Sequence, residues 1–79
     1  MPHLTARQRE VLLLAANGNT NTAIGQHLGI HRTTVDRHLS EIFRALGARD
    51  RAQAVAIALA VGDLGVHDIH IPDQQQGAA

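Results

Sequence analysis

The stretch from Thr20 to Leu46 constrains the fold of this 79-residue chain more than any other segment. It begins with a short run of helix-forming residues and continues, after Gly29, with a longer run whose first two turns carry polar and cationic side chains. Glycine at that place can adopt the left-handed conformation that ends a helix without steric cost. A short helix, a tight turn and a longer helix form a helix-turn-helix, whose second helix enters the DNA major groove by its N-terminal end.

Four glycines divide the chain into four helix-forming runs. The glycines are Gly18, Gly29, Gly47 and Gly62, and they follow Asn17, Leu28, Leu46 and Val61. Their positions predict helices over about 6–17, 21–28, 32–46 and 51–61. The only strand pattern is a weak alternation over 66–71. We therefore expect an all-α fold of four helices.

The residues before these runs predict how the helices begin. Thr5 and Gln8 have the spacing of a capping box, and Thr20 and Asp50 are of the types that cap helix N-termini well. The third helix has His31 at the same place, which predicts a poor cap. Three of the four starts are thus well marked.

The third predicted helix has one apolar and one polar face. Its apolar residues recur at the three-and-four spacing of a buried face and are Val35, His38/Leu39, Ile42 and Leu46. The opposite face carries Thr33, Asp36, Arg37, Ser40 and Arg44. With ~1.5 Å per residue, a helix over 32–46 is ~22 Å long, enough to cross a groove while its C-terminal half stays anchored in the core.

The fourth predicted helix carries two apolar stripes, of which a three-helix core covers only one. One stripe is Ala52, Val55, Ala56 and Leu59; the other is Ala54, Ile57, Ala58 and Val61. The remaining stripe is covered either by a partner subunit, which we favour, or by the tail folded back so that Ile69 and Ile71 contact it. A two-fold dimer would also present two recognition helices to two half-sites.

The charge of the chain is zero overall but unevenly distributed. Residues 1–62 hold all seven Arg against four acids and so carry +3, whereas residues 63–79 hold three acids and no Arg or Lys. We expect one domain over 1–62, followed by an acidic and flexible tail over 63–79. The positive charge of the domain supports DNA binding only weakly.

Composition excludes several other classes of protein. With no Cys, the chain has neither a disulfide framework nor a thiolate metal site. Its longest apolar run, residues 54–61, is far short of the roughly 18 residues that a membrane span needs, and the N-terminus lacks a signal-peptide pattern. We therefore expect a cytoplasmic protein. An enzyme is not expected, because no nucleophile–base pair and no phosphate-binding glycine loop is present.

The ordered set of residues resembles the LuxR-type (LuxR/FixJ) helix-turn-helix domain of bacterial transcription regulators. The matching residues are Leu4-Thr5, Arg7, Glu10-Val11-Leu12, Gly18, Thr20-Asn21, Ile24, Leu28, Thr34-Val35, His38-Leu39, Ile42, Leu46-Gly47, Arg51 and Gln53-Ala54-Val55. The resemblance implies a four-helix domain that binds double-stranded DNA as a homodimer through its last helix. Many relatives carry a receiver or ligand-binding domain, which these residues do not include, so the chain resembles a single-domain member or an excised domain.

The resemblance also implies site residues. Base contacts would come from the start of the third helix: Asp36, Arg37 and Ser40. Phosphate contacts would come from Thr20, Asn21, Arg32, Thr33 and Arg44. The dimer interface would include Val55, Ala56 and Leu59. No cofactor, metal or small-molecule ligand is expected; the His and Asp residues at 67, 68, 70 and 73 have ligand-like spacing but no rigid support.

Three departures from the family pattern lower the expected affinity for phosphates. Asp36 and Ala45 stand where Lys is usual, and His31 stands where Ser or Thr is usual. Asp36 could accept a hydrogen bond from cytosine N4 or could pair with Arg32 one turn earlier. The departures leave an alternative function open, that of an interaction module that forms heterodimers with related regulators and sequesters or redirects them.

Overall fold

A computed structural model describes residues 3–72 of the chain. Four α-helices and one short 3-10 helix follow one another, and their bounds are α1 Ala6–Ala16, α2 Asn21–Leu28, α3 Arg32–Leu46, α4 Arg51–Val61 and the 3-10 turn Val66–Asp68. The all-α fold and its four helices are thereby confirmed, with α1 ending one residue earlier than expected. The described residues contain no strand, and the weak alternation over 66–71 belongs partly to the 3-10 turn.

Local side-chain contacts explain where the helices begin. The Thr5 hydroxyl accepts the Gln8 N–H at 3.1 Å, while the Gln8 side chain accepts the Thr5 N–H at 3.0 Å, so the predicted capping box is present. Thr20 and Asp50 cap α2 and α4 as expected. The expectation that His31 caps α3 poorly is wrong, because its ring Nδ1 accepts the Thr33 N–H at 3.1 Å.

The third helix lies at the centre of the molecule and packs against the other three. Its buried residues are Val35, Leu39 and Ile42, on the face that the sequence predicts. They meet a core made by α1, α2, α4 and the segment after α4: Val11, Leu12, Ala15, Ile24, Ala54, Ala58 and Leu64, with Leu4 at its edge. This burial fixes α3 in one rotation, so its polar face points to solvent.

The turn between α2 and α3 closes over Gly25. A Cβ at Gly25 would lie 2.6 Å from the Ile30 carbonyl oxygen, a backbone atom. The Ile30 N–H in turn donates to the Gly25 carbonyl at 2.9 Å, and Gly29 reverses the chain with a φ of +71°. The missing side chain at Gly25 therefore allows the close approach that sets α3 against α2.

The two apolar stripes of α4 have different environments. Ala54 and Ala58 are fully buried, whereas Ala52 and Ala56 are exposed, with Val55 and Leu59 half-buried at the margin of the core. The stripe that contains Ala56 is thus the one that points away from the core. Within residues 3–72, no helix is both long and apolar enough to cross a membrane.

The segment after α4 docks on α1. The Arg9 guanidinium donates to the Asp63 carbonyl and to the Asp68 carboxylate, both at 3.0 Å. The Asn17 side chain donates to the Asp68 carbonyl at 3.1 Å and accepts the His70 N–H at 2.6 Å. Part of the predicted flexible tail is thus held by α1 and does not cover the outer stripe of α4; residues 73–79 lie outside the described part of the chain.

Candidate nucleic-acid interface

The outward face of α3 brings the predicted base-contact residues together. Asp36, Arg37 and Ser40 are all exposed, and Ser40 follows Asp36 by one helical turn. Arg32 and Thr33, from the predicted phosphate set, precede them in the first turn and are exposed as well. Arg44 lies in the last turn of α3, ~12 Å along the axis from Asp36. Residues 32–40 therefore form one polar surface, and Arg44 continues it one turn beyond Ser40.

No carboxylate of residues 3–72 forms an ion pair with the cations of this surface. Within residues 3–72, the ion pairs involve Arg7, Arg9 and two His, but none involves Arg32, Arg37 or Arg44. In particular, Arg37 does not pair with Glu41, and Asp36 does not pair with Arg32. An unpaired guanidinium keeps all of its donors available for an external acceptor.

Asp36 is joined to the N-terminal end of α2. Its Oδ1 accepts a hydrogen bond from the Asn21 side-chain amide at 2.6 Å, so α2 begins directly beside the second turn of α3. Thr20, the N-cap of α2, is exposed and uses its hydroxyl to accept the Ala23 N–H at 3.1 Å. The predicted phosphate residues Thr20 and Asn21 are therefore neighbours of the predicted base residue Asp36.

Arg51, at the start of α4, extends this contact into a network that the site prediction did not include. Its guanidinium donates to the Asn21 side-chain oxygen and to the Asn19 carbonyl at 3.0 Å. A recess of about 340 Å³ lies beside it and is lined by Ala15, Gly18, Asn19, Thr20, Asn21 and Arg51. No local sequence signal marks the network, since Asn21 lies 15 residues from Asp36 and 30 from Arg51.

His31 contributes to the same surface through Thr33. Both the Thr33 N–H and its hydroxyl lie within hydrogen-bond distance of the His31 Nδ1, at 3.1 and 2.9 Å. The cap thus orders the first turn of α3, and the His31 carbonyl accepts the Thr34 and Val35 N–H groups at 3.0 and 3.2 Å. An anion near Arg32 would therefore meet the Arg32 guanidinium and the positive end of the helix dipole, not the already bonded N–H groups of Thr33 to Val35.

The acidic segment offers no metal site in the described residues. No group of three or more His, Cys, Asp or Glu side chains in residues 3–72 is arranged to hold a metal ion. Asp68 is engaged by Arg9 and by the Gly65 N–H, and Asp73, the fourth residue of the spacing noted above, lies outside the described range.

Comparison with known proteins identifies relatives of this chain. Residues 2–58 match the family described as bacterial regulatory proteins, luxR family. The chain is 47% identical over 58 residues to the probable transcriptional regulatory protein SgaR of Hyphomicrobium methylovorum, a match that covers 73% of this chain and 28% of SgaR. It is 40% identical over 63 residues to the spore germination protein GerE of Bacillus subtilis, which covers 80% of this chain and 85% of GerE.

Solved structures agree with these matches. The structure of the transcription factor GerE superposes with a TM-score of 0.77 at 32% identity and covers 82% of this chain and 97% of GerE. A structure of VqmA bound to DPO gives a TM-score of 0.71 at 31% identity, over 90% of this chain and 34% of VqmA. The chain therefore spans only about a quarter to a third of several relatives, such as SgaR and VqmA, and nearly all of GerE. Matched over more than two thirds of its length, the chain belongs to the luxR family of bacterial regulatory proteins as a LuxR-type helix-turn-helix domain.

Proposed function

We propose that this chain is a sequence-specific regulator of transcription that binds double-stranded DNA and reads its major groove with α3. The observation that carries the proposal is the outward face of α3, where Arg37 is exposed and, within residues 3–72, without an ion-pair partner. A guanidinium in this position can donate two hydrogen bonds to guanine O6 and N7, which is worth about 1–3 kcal/mol of discrimination between bases. Asp36 and Ser40 would contact neighbouring bases.

Phosphate contacts would come from the helix starts that flank this face. Thr20 and Asn21 begin α2, and Arg32 and Thr33 begin α3. Helix N-termini combine free N–H groups with partial positive charge, and so favour phosphate oxygens. Arg44, at the other end of α3, would reach the backbone farther along the duplex.

A homodimer through α4 would complete the site. The stripe that contains Ala56 is apolar and points away from the core, with Val55 and Leu59 at its margin. Two copies related by two-fold symmetry would place two α3 helices on two half-sites, so that an operator for this protein would be palindromic. We place this activity in the bacterial cytoplasm, with neither a cofactor nor a small-molecule ligand.

The test is fluorescence anisotropy with a mixed-sequence duplex at low and at physiological salt. Phosphate neutralisation predicts that the logarithm of the binding constant falls linearly with the logarithm of the salt concentration. A selection from randomised duplexes then identifies the operator, and Arg37→Ala should relax the preference for one guanine in each half-site. The matched control is Arg7→Ala, which removes the same charge from α1, where Arg7 pairs with Glu10 at 3.0 Å.

A second candidate function is an interaction module that pairs with related regulators through α4 and sequesters or redirects them. Two observations favour it: the zero net charge of the chain and the carboxylate of Asp36 on the face that would meet DNA. Folded protein that fails to bind any duplex at low salt, yet forms heterodimers with a LuxR-type domain, would replace the first proposal by this one.

A further inference from the structure

We propose that Asp36 selects a cytosine in the major groove, and that Asn21 and Arg51 are positioning residues that hold its carboxylate for this contact. The inference rests on the DNA-binding function proposed above and adds to it the identity of one base and the residues that enforce the choice. Hydrogen bonds through Asn21 link the beginnings of α2 and α4 to the second turn of α3.

The chemistry of its two neighbours fixes the orientation of the Asn21 side chain. The Arg51 guanidinium can only donate hydrogen bonds and an ionised Asp36 carboxylate can only accept them. The amide oxygen of Asn21 must therefore face Arg51, and its NH₂ must face Asp36, as found. A flipped amide would lose both hydrogen bonds. Arg51 therefore fixes the orientation of Asn21, and Asn21 in turn fixes the position of the Asp36 carboxylate.

Arg51 is itself held in place. It is half-buried, belongs to the first turn of α4, and donates a further bond to the Asn19 carbonyl at 3.0 Å. The carboxylate at the surface of α3 is thus connected, through Asn21, to a side chain anchored on another helix. A side chain fixed before binding loses less conformational entropy when it contacts a base.

The hydrogen bonds of Asp36 also determine from which bases its carboxylate can accept a hydrogen bond. Asn21 occupies Oδ1, and within residues 3–72 Oδ2 makes no hydrogen bond or ion pair. Guanine presents only the acceptors N7 and O6 in the major groove, and thymine presents O4, so both would repel a carboxylate. Adenine presents a donor at N6 beside the acceptor N7, whereas cytosine presents the N4 donor alone. Cytosine is therefore the base that matches this carboxylate, because its N4 donor has no neighbouring acceptor that would repel the anion.

The sharpest test compares two effects of removing the Asp36 carboxylate, one on affinity for mixed-sequence DNA and one on the preference for cytosine. Removing the anion in Asp36→Ala should leave binding to mixed-sequence DNA equal or tighter, because the carboxylate also repels phosphates. The same variant should lower the preference for cytosine at one position of the selected operator by about five- to tenfold, the lower part of the range for a base contact. Glu41→Ala is the matched control, since it removes an exposed carboxylate from the same helix and should leave every base preference unchanged.

A base analogue isolates the hydrogen bond itself. Replacing that cytosine by 2-pyrimidinone, which lacks the 4-amino group, should weaken binding of the unaltered protein by a similar factor. It should not weaken binding of Asp36→Ala, because the acceptor is already missing. Equal sensitivity of both proteins would overturn the assignment of Asp36 to this base.

The positioning role needs variants that keep the fold. Asn21→Asp preserves an acceptor for Arg51 but removes the donor to Asp36, and Arg51→Ala removes the anchor. Both should lower the cytosine preference at the same position, and neither should lower it further in combination with Asp36→Ala. Asn21→Asp should also weaken binding to all sequences, because Asn21 is a proposed phosphate contact and the variant adds a negative charge. Weakened binding with an unchanged cytosine preference in both variants would show a purely structural role and overturn the positioning role.

The outcomes separate this inference from the function on which it rests. Folded protein that binds no duplex at low salt would overturn both. Specific binding in which no position depends on Asp36 would overturn only the cytosine contact and leave the DNA-binding function standing. Cytosine selection that is lost in Asp36→Ala but intact in Asn21→Asp and Arg51→Ala would support the contact between Asp36 and cytosine. It would overturn the positioning role of Asn21 and Arg51.

Discussion

Gly25 shows how a single residue can oppose the preference of its own helix. Replacement by Ala raises intrinsic helix propensity by about 1 kcal/mol, but the new Cβ would lie 2.6 Å from the Ile30 carbonyl oxygen. Overpacking of this kind costs about 1–3 kcal/mol. We expect Gly25→Ala to lower the free energy of unfolding by roughly 1 kcal/mol, since the crowded atom is backbone and the turn must shift.

Urea denaturation measures this effect. Gln26→Gly, at the exposed neighbouring position of α2, measures the cost of glycine in this helix where no contact is involved. An increase in stability for Gly25→Ala, equal to the loss found for Gln26→Gly, would show that the turn relaxes freely and that the close approach does not constrain it.

Asp36 marks the limit of residue-level prediction from sequence. Both interpretations of it considered α3 and DNA alone, whereas its partner in the structure is Asn21 on α2. Exposure along α3 follows from the spacing of Val35, Leu39 and Ile42, and could be predicted. Contacts between residues far apart in the chain depend on how helices pack, and the periodicity of one helix carries no information about them.

At the scale of the helix, the N-cap of α3 depends on an imidazole. His31 accepts the Thr33 N–H through Nδ1, so its removal leaves a first-turn donor without its cap. We expect His31→Ala to lower the free energy of unfolding by about 0.5–2 kcal/mol, and His31→Asn to restore most of it. Thermal unfolding of the two variants measures the difference.

His27→Ala is the matched control for the cap, because His27 is also exposed but lies at the C-terminal end of α2. Equal stability of His31→Ala and the unaltered protein would show that the cap contributes nothing. The sequence predicted a poor cap because His is rare among N-cap residues; the ring nitrogen nevertheless reaches the same N–H that a Ser or Asn oxygen would bind.

The elements themselves were largely predictable, because their ends are encoded locally. Thr5, Thr20 and Asp50 start three helices, and a glycine with positive φ follows each helix closely. The course of the chain after α4 was not predictable in the same way. Its docking depends on Arg9 and Asn17, which lie more than 50 residues earlier, and its acidic composition indicated only a flexible tail.

At the scale of the whole molecule, a buried carboxylate connects the start of the described chain to the segment after α4. Asp63 is 3% exposed, and its carboxylate accepts the His3 N–H at 2.8 and 3.1 Å. We expect Asp63→Ala to lower the free energy of unfolding by about 1–3 kcal/mol, because the His3 N–H loses a charged acceptor. Asp63→Asn retains an oxygen acceptor and should cost less.

Denaturant unfolding of both variants, with Glu41→Ala as an exposed carboxylate control, measures this prediction. Hydrogen exchange should in addition become faster at the amides of Leu64 to His70 in Asp63→Ala, because the segment loses one of its attachments. Unchanged stability and unchanged exchange would show that the Asp63 carboxylate contributes nothing, and that Arg9, Asn17 and the buried Leu64 are enough to hold the segment.

The final prediction concerns the assembly of two molecules. The outer stripe of α4 exposes Ala52 and Ala56, and a charge placed there would have to be desolvated in an apolar interface. We expect Ala56→Arg to disrupt the proposed homodimer, which would then sediment as monomer, and to abolish cooperative binding to a palindromic operator while a half-site is still bound. Gln26→Arg adds the same charge on α2 and should leave the proposed homodimer intact. Because α3 and α4 present different faces, a variant that is monomeric but still binds a half-site would show that dimerisation and DNA recognition use separate surfaces. An unaltered protein that stays monomeric at all concentrations would show that α4 is not a homodimer surface.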